Sequence, residues 1–196
     1  MSKKIEIERS KLMEAYKAAN DEQKQLLINL YGKDIFKPAD VRERIKTFED
    51  ACRELDSRCE DNHPLVSEFE ALQGYFCEND NLSKDILAYL QLRIICAALN
   101  EGWEPTFANE EYRWYPWFVI YTKDELARMD EEKRRRVVGR SNFYANAGGG
   151  LVFAYAGNAS SYSLSVNGSR LAFKSEELAD YAGKQFIEIY ADFVAL

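Results

Sequence analysis

Between Ser83 and Asn100 the chain carries a run that has few places to go except the centre of a helical layer. Ile86, Leu87, Leu90, Ile94, Ala97 and Ala98 form one face of a helix over 84–100, and Tyr89, Leu92, Ile95, Cys96 and Leu99 cover much of the rest. A helix apolar on most sides has little surface to give to water, so other elements must pack around it. The apolar run extends only from Ile86 to Leu99 and contains Gln91 and Arg93. It is too short to span a bilayer.

The elements before it read as amphipathic. Residues 8–31 give two short helices, with Leu12, Met13 and Tyr16 as one stripe and Leu26, Leu27 and Leu30 as another. Asn20-Asp21 followed by Gln23 marks a capping break between them, and Gly32 ends the second. Pro38-Ala-Asp40 opens a further helix in which Val41, Ile45, Phe48, Cys52 and Leu55 follow one another in steps of 4, 3, 4 and 3. That spacing predicts one continuous helix packed on its own domain, with a partner-binding helix as the sharper alternative. Residues 56–82 are acidic and loop-like, with a short helix near 65–72, and are the candidate for an insertion or mobile segment. This organisation predicts an N-terminal helical segment over 1–37 and a main domain over 38–196.

Beyond Glu101-Gly102-Trp103 the pattern changes. Tyr112–Tyr121 holds six aromatics in ten positions, and Pro116 restricts it to an edge strand or splits it. Thr122 and Glu125 form a capping box for a charged helix from Lys123 to about Val138. Residues 141–175 then turn to Gly, Ser, Asn, Ala and Tyr, with Arg170 and Lys174 the two charges in the stretch. They read as short strands, and Val166-Asn167-Gly168-Ser169 as a two-residue hairpin turn. Ser175 caps a closing helix whose buried stripe is Leu178, Tyr181, Ala182, Phe186, Ile189, Tyr190 and Phe193. The fold class is therefore α+β: a mostly helical N-terminal two-thirds, a small antiparallel sheet with an Asn-Gly hairpin, and a C-terminal helix.

Hydrophobic residues make up 46% of the chain, enough for a core. The net charge of −7 argues against general nucleic-acid binding, because the phosphate backbone dominates that affinity. Cys52, Cys59, Cys77 and Cys96 contain no CxxC pair and read as reduced thiols, with a Cys59–Cys77 disulfide as the alternative. The charged N-terminus lacks the apolar core of a signal peptide, which predicts a soluble protein made inside a cell. The glycosylation-type triplets at Asn158 and Asn167 then read as turn chemistry.

Few residues suggest chemistry. His63 is the only histidine, and no cysteine or carboxylate pattern near it resembles a triad or metal set. The acidic residues space out as solvated helix faces, so the reading assigns no catalytic residue, no metal ligand and no cofactor. Gly148-Gly149-Gly150 precedes a strand-like LVFAY rather than a helix, so it reads as a flexible lead-in and not a phosphate loop. Lys133, Arg134, Arg135, Arg136 and Arg140 form a basic cluster. Glu131 and Glu132 lie four residues before Arg135 and Arg136, which predicts local neutralisation rather than a nucleic-acid site. On an extended strand Arg170 and Lys174 would share a face with Ala172, leaving Leu171 and Phe173 inward. That pair, with Arg140, Tyr155 and Tyr162, is the candidate site for a small anion or nucleotide. Pairing of Arg170 and Lys174 with acidic side chains of a neighbouring helix is the other reading, and the favoured one.

Four segments belong together: KTFEDACREL at 46–55, ALNEGWEP at 98–105, YRWYPWF at 112–118, and GSRLAFKSEELADYAGKQFIEIYADF at 168–193. They resemble a family of small uncharacterised proteins encoded by phages and prophages of gut Bacteroidetes, over the chain from about residue 38 onward. The resemblance implies a mobile-element origin and a bacterial host cytoplasm or virion as the setting. It implies no particular activity and no catalytic residues. With Tyr144, Tyr155 and Tyr162 set among Ser, Asn and Gly, the expected role is protein association or self-association.

Overall fold

A computed structural model describes residues 6–76, 84–106, 111–138, 149–159 and 169–194. The chain divides into two compact units, Met1–Arg44 and Ile45–Leu196. The architecture is α+β, with a small antiparallel sheet and a helical C-terminus.

The first unit contains α1 (Arg9–Ala18), α2 (Asp21–Tyr31), a 3-10 turn over Lys33–Phe36, and α3 (Val41–Arg44). The capping box expected at Asn20 is present: its side chain accepts from the Gln23 amide at 2.9 Å, and the Gln23 side chain accepts from the Asn20 amide at 3.0 Å. Gly32 ends α2 at φ +83°, a conformation that costs glycine little. Tyr16 stacks on Phe36 with ring centroids 4.4 Å apart, so the 3-10 turn folds back on α1. Leu26 and Leu30 of the α2 stripe remain exposed.

The second unit begins where one helix was expected and two are found. After α3 the chain unwinds at 45–47 and restarts as α4 (Phe48–Asp56). Thr47 caps α4 by accepting from the Asp50 amide, while the Asp50 carboxylate accepts from the amides of Thr47 at 2.9 Å and Lys46 at 3.0 Å. These three bonds replace the helical turn that the apolar stripe alone predicts. The break also shifts the buried positions, which in α4 are Ala51 and Leu55. Phe48 meets Phe69 edge-on at 4.9 Å.

The short helix expected near 65–72 is present and longer, α5 (Pro64–Phe76), anchored by buried Val66 and Phe69. Its start accounts for His63. The His63 amide donates to Asp56 at 2.7 Å, its Nδ1 accepts from the Leu65 amide at 3.2 Å, and its carbonyl accepts from the Val66 amide. Pro64 follows as the first helical residue, where its missing N–H costs nothing. Cys77 and Ser83 lie outside the described residues, so neither the disulfide alternative nor the Ser83 cap is described. Cys52, Cys59 and Cys96 carry free thiols.

α6 (Lys84–Leu99) is the central helix its sequence predicts. Ile94, Ile95, Ala98 and Leu99 are fully buried, and α4, α5 and the C-terminal helix all pack on it. Among the described residues no helix is long and apolar enough to cross a membrane.

The sheet pairs β1 (Arg113–Tyr121) with β2 (Gly150–Ala159) in antiparallel register, Trp117 opposite Tyr155, with an irregularity between Trp117 and Phe118. Asn158 is a strand residue opposite Trp114, not a turn residue. Gly149 and Gly150 are not a flexible lead-in. A side chain at Gly149 would collide with the Tyr121 carbonyl, and Gly150 holds φ +106° beneath the Val138 carbonyl. The pair lets β2 enter against the end of β1 and against Val138, whose backbone bridges Leu151 at 2.9–3.0 Å. Of the expected Asn-Gly hairpin, 166–168 lie outside the described residues, and Ser169 already belongs to a 3-10 turn, Ser169–Leu171.

The expected charged helix is divided into α7 (Lys123–Arg128) and α8 (Glu131–Arg134). Thr122 and Glu125 make the predicted capping box on α7, while the Asp130 side chain accepts from the Lys133 amide and begins α8 anew. The closing helix is likewise divided, into α9 (Glu176–Gln185) and α10 (Ile187–Val194), at buried Phe186 with φ −112° and ψ 28°. Ser175 caps α9 as expected. Gly183 brings α9 down onto the sheet, where a side chain would strike Pro116 and the Phe153 ring. Tyr181 donates to the Ile45 carbonyl at 2.6 Å and Gln185 to the Lys46 carbonyl at 2.7 Å, tying α9 to the residues that precede α4.

Candidate functional site

The helical stripe Arg93, Cys96, Ala97 and Asn100 on α6 forms one wall of a cleft of about 350 Å³. Arg170 and Ala172 face it, and Leu65, Trp103, Glu104 and Pro105 complete the lining. The hollow exists because the positions between its polar residues are small: Cys96 and Ala97 on the helix and Ala172 opposite.

Buried Asn100 fixes the two walls relative to one another. Its Nδ2 donates to the Ala172 carbonyl at 2.8 Å, and its Oδ1 accepts from the Lys174 amide at 3.0 Å. The Cys96 thiol donates to the same Ala172 carbonyl at 3.0 Å. Burial pushes that thiol well above the ordinary thiol range, which keeps it a protonated donor. The Lys174 ammonium meets Glu101 at 3.0 Å. Glu101 and Gly102 end α6 with φ of +53° and +87°, and this left-handed turn brings the Trp103 amide back to the Asn100 carbonyl at 3.0 Å.

The geometry separates the cation pair that the sequence suggested. Arg170 and Lys174 do not share a strand face, because Ser169–Leu171 is a 3-10 turn and Leu171, Ala172 and Phe173 are all buried. Lys174 pairs with Glu101, just past the end of α6, so the pairing reading holds for Lys174 and not for Arg170, and the pair helps to hold the wall. Arg170 instead lines the cleft with Arg93, a residue the pattern reading did not single out. Arg93 is held over the Tyr89 ring at 5.9 Å. Neither Arg93 nor Arg170 forms an ion pair within the described residues. The signal that marks Arg93 was present in the sequence: the one charge between Ile86 and Leu99, one turn from Ala97 and two from Asn100.

Tyr155 is not at the cleft. It lies on the outer face of the sheet, 57% exposed, with its ring nearly parallel to that of Trp117 at a centroid separation of 6.0 Å. Val119 is exposed alongside, and Gly157 leaves room for the Trp117 indole to lie flat. Arg140 and Tyr162 lie outside the described residues.

The basic run is neutralised locally. Arg135 meets Glu131 at 2.6 Å, Arg136 meets Glu132 at 2.7 Å and Lys133 meets Asp130 at 3.5 Å, all in highly exposed positions. Arg134 turns inward, donating to the carbonyls of Ala127 and Met129. Among the described residues no three His, Cys, Asp or Glu side chains converge as metal ligands. A second cavity of about 30 Å³, bordered by Tyr115, Pro116 and Tyr190, is the size of a single water.

No protein-family model matches this chain, and no curated protein or solved structure is significantly similar to it.

Proposed function

We propose that this is a non-enzymatic, phage-type accessory or structural protein that acts by association, and that it meets a second copy of itself through the outer face of the β1–β2 sheet. The observation that carries the reading is the continuous apolar surface of Trp117, Val119 and Tyr155, with its two parallel rings. A two-stranded sheet is marginal alone and needs cover. Here α9 and α10 pack on the sheet, while Trp117, Val119 and Tyr155 stay exposed. Exposed apolar patches of this kind are characteristic of contact surfaces. Tyr and Trp supply large contact area while giving up few rotamers. A flat face of this kind is complementary to its own two-fold copy, the commonest symmetry of soluble homo-oligomers. The sole histidine is already used as the cap of α5, which supports a role other than histidine-based catalysis.

Native mass spectrometry and sedimentation across a concentration series test the reading. The expected result is a species of twice the chain mass that Trp117→Ser combined with Tyr155→Ser converts to monomer while the fold is retained. A wild-type protein that stays monomeric throughout, or a dimer indifferent to the double substitution, overturns it.

A further inference from the structure

The cleft between α6 and the 170–172 turn is a different surface from the sheet face. We propose that it binds a small phosphate monoester carrying a planar ring, of the nucleoside monophosphate class. Three features of the cleft lead there.

The first is charge. Arg93 and Arg170 line one cavity, and neither has a carboxylate partner among the described residues. Nearby, Lys174 is committed to Glu101 and Arg58 to Glu54, and Glu104 is the one carboxylate among the residues that line the cleft. Two guanidinium groups lining one hollow repel each other, and a doubly charged oxyanion relieves both at once. Planar guanidinium groups also match phosphate oxygens in geometry. Arg93 is already positioned by the Tyr89 ring, so less rotamer freedom is lost when it engages a ligand.

The second is shape. A volume of about 350 Å³ lies at the lower end of the range for small-molecule sites and is far larger than a bare phosphate requires. The remaining space runs to Trp103, whose half-buried indole offers a flat apolar surface on which a ring can stack. Glu104 beside it supplies an acceptor for amino groups on such a ring. Phosphate at the two arginines and a ring at Trp103 use the charged and the aromatic parts of the lining.

The third is preorganisation. The polar ends of Asn100 are spent on Ala172 and Lys174, and the Cys96 thiol on Ala172. These residues are not ligand contacts. They tie the backbone at Ala172 and Lys174 to α6, so the turn that carries Arg170 is set beside the helix that carries Arg93.

Isothermal titration calorimetry with the four common 5′-mononucleotides, with ribose 5-phosphate and inorganic phosphate as reference probes, tests the proposal. At least one mononucleotide should bind with one-to-one stoichiometry. Arg170→Ala and Arg93→Gln should each weaken it tenfold or more, with circular dichroism and melting temperature confirming the fold. Trp103→Leu should reduce the mononucleotide to the affinity of ribose 5-phosphate. Arg135→Ala with Arg136→Ala should leave binding unchanged. Absence of binding by every mononucleotide overturns the proposal. So does binding insensitive to Arg170, or equal affinity for ribose 5-phosphate and the mononucleotide. Because Trp117 and Tyr155 are untouched throughout, failure here leaves the self-association reading standing, and the reverse also holds.

Discussion

The protein contains two groups of cations whose prominence in sequence runs opposite to their electrostatic freedom. Lys133–Arg136 is the densest basic run in the chain, yet three of its members meet carboxylates three or four residues away and the fourth donates to backbone carbonyls. Arg93 and Arg170 are isolated in sequence, yet they line one cleft without a described ion pair. Charge density along the chain is therefore a poor guide to available charge. On a helix, i,i+4 carboxylates cancel a run within one turn. A lone arginine among apolar residues has no such neighbour, and its partner must come from elsewhere in the fold or from a ligand.

The two regions also differ in what holds them. The cleft rests on a buried amide, and the basic run on exposed pairs. Asn100→Ala should have the largest effect, lowering the unfolding free energy by roughly 2 kcal/mol, because the Lys174 amide loses its acceptor and the Ala172 carbonyl a donor. Chemical denaturation measures it. Alkylation followed by peptide mass spectrometry adds a local readout. Cys96 should react far more slowly than exposed Cys59 in the native protein and faster in the variant, whose wall is no longer pinned. Unchanged stability with Cys96 equally protected would mean that Asn100 does not hold the cleft.

Next in size is the Glu101–Lys174 pair. Both side chains are about one-third exposed, at 38% and 33%, so solvent screening limits the pair to about 0.5 kcal/mol. Glu101→Gln should cost that much, and a double-mutant cycle with Lys174→Met should recover it as coupling. Glu101→Gly loses the same pair but releases a side chain from φ +53°, so it should destabilise less than Gln or even stabilise. If Gly proves the worse substitution, the left-handed turn is not a source of strain.

Local chemistry made much of this fold legible. The capping boxes at Asn20 and Thr122, the cap at Ser175 and the buried α6 follow from short-range patterns that tertiary contacts reinforce. The helix breaks at 45–47, at Met129 and at Phe186 were not legible from apolar spacing. Apolar spacing can run on in sequence across a break, so periodicity does not register the interruption. At the first of these the Thr47–Asp50 box decided the matter locally. For α5 the short helix near 65–72 was legible but its full length was not, and Val66 and Phe69, three residues apart, anchor it. The candidate site was half legible. Arg170 stood out as a cation in a polar stretch, but the strand assumption attached it to Lys174. A 3-10 turn rotates side chains by about 120° per residue where a strand alternates by about 180°, so positions 170 and 174 parted company. Arg93 was hidden because an apolar run directs attention to its core and not to the one charge between Ile86 and Leu99.

The smallest effect on stability should come from the basic run, and for that reason its substitution isolates charge from fold. Glu131→Gln with Glu132→Gln removes two exposed i,i+4 partners and should leave the unfolding free energy within measurement error, since the pairs sit in solvent. What should change is the free charge. Arg135 and Arg136 lose their neutralising neighbours, and retention on a polyanion column should rise at low salt and vanish as salt increases. The wild-type chain, at net charge −7 with these arginines paired, should pass through. A wild-type protein already retained as strongly as the variant would mean that the pairs do not suppress the run, and the contrast with Arg93 and Arg170 would then be one of position and not of free charge.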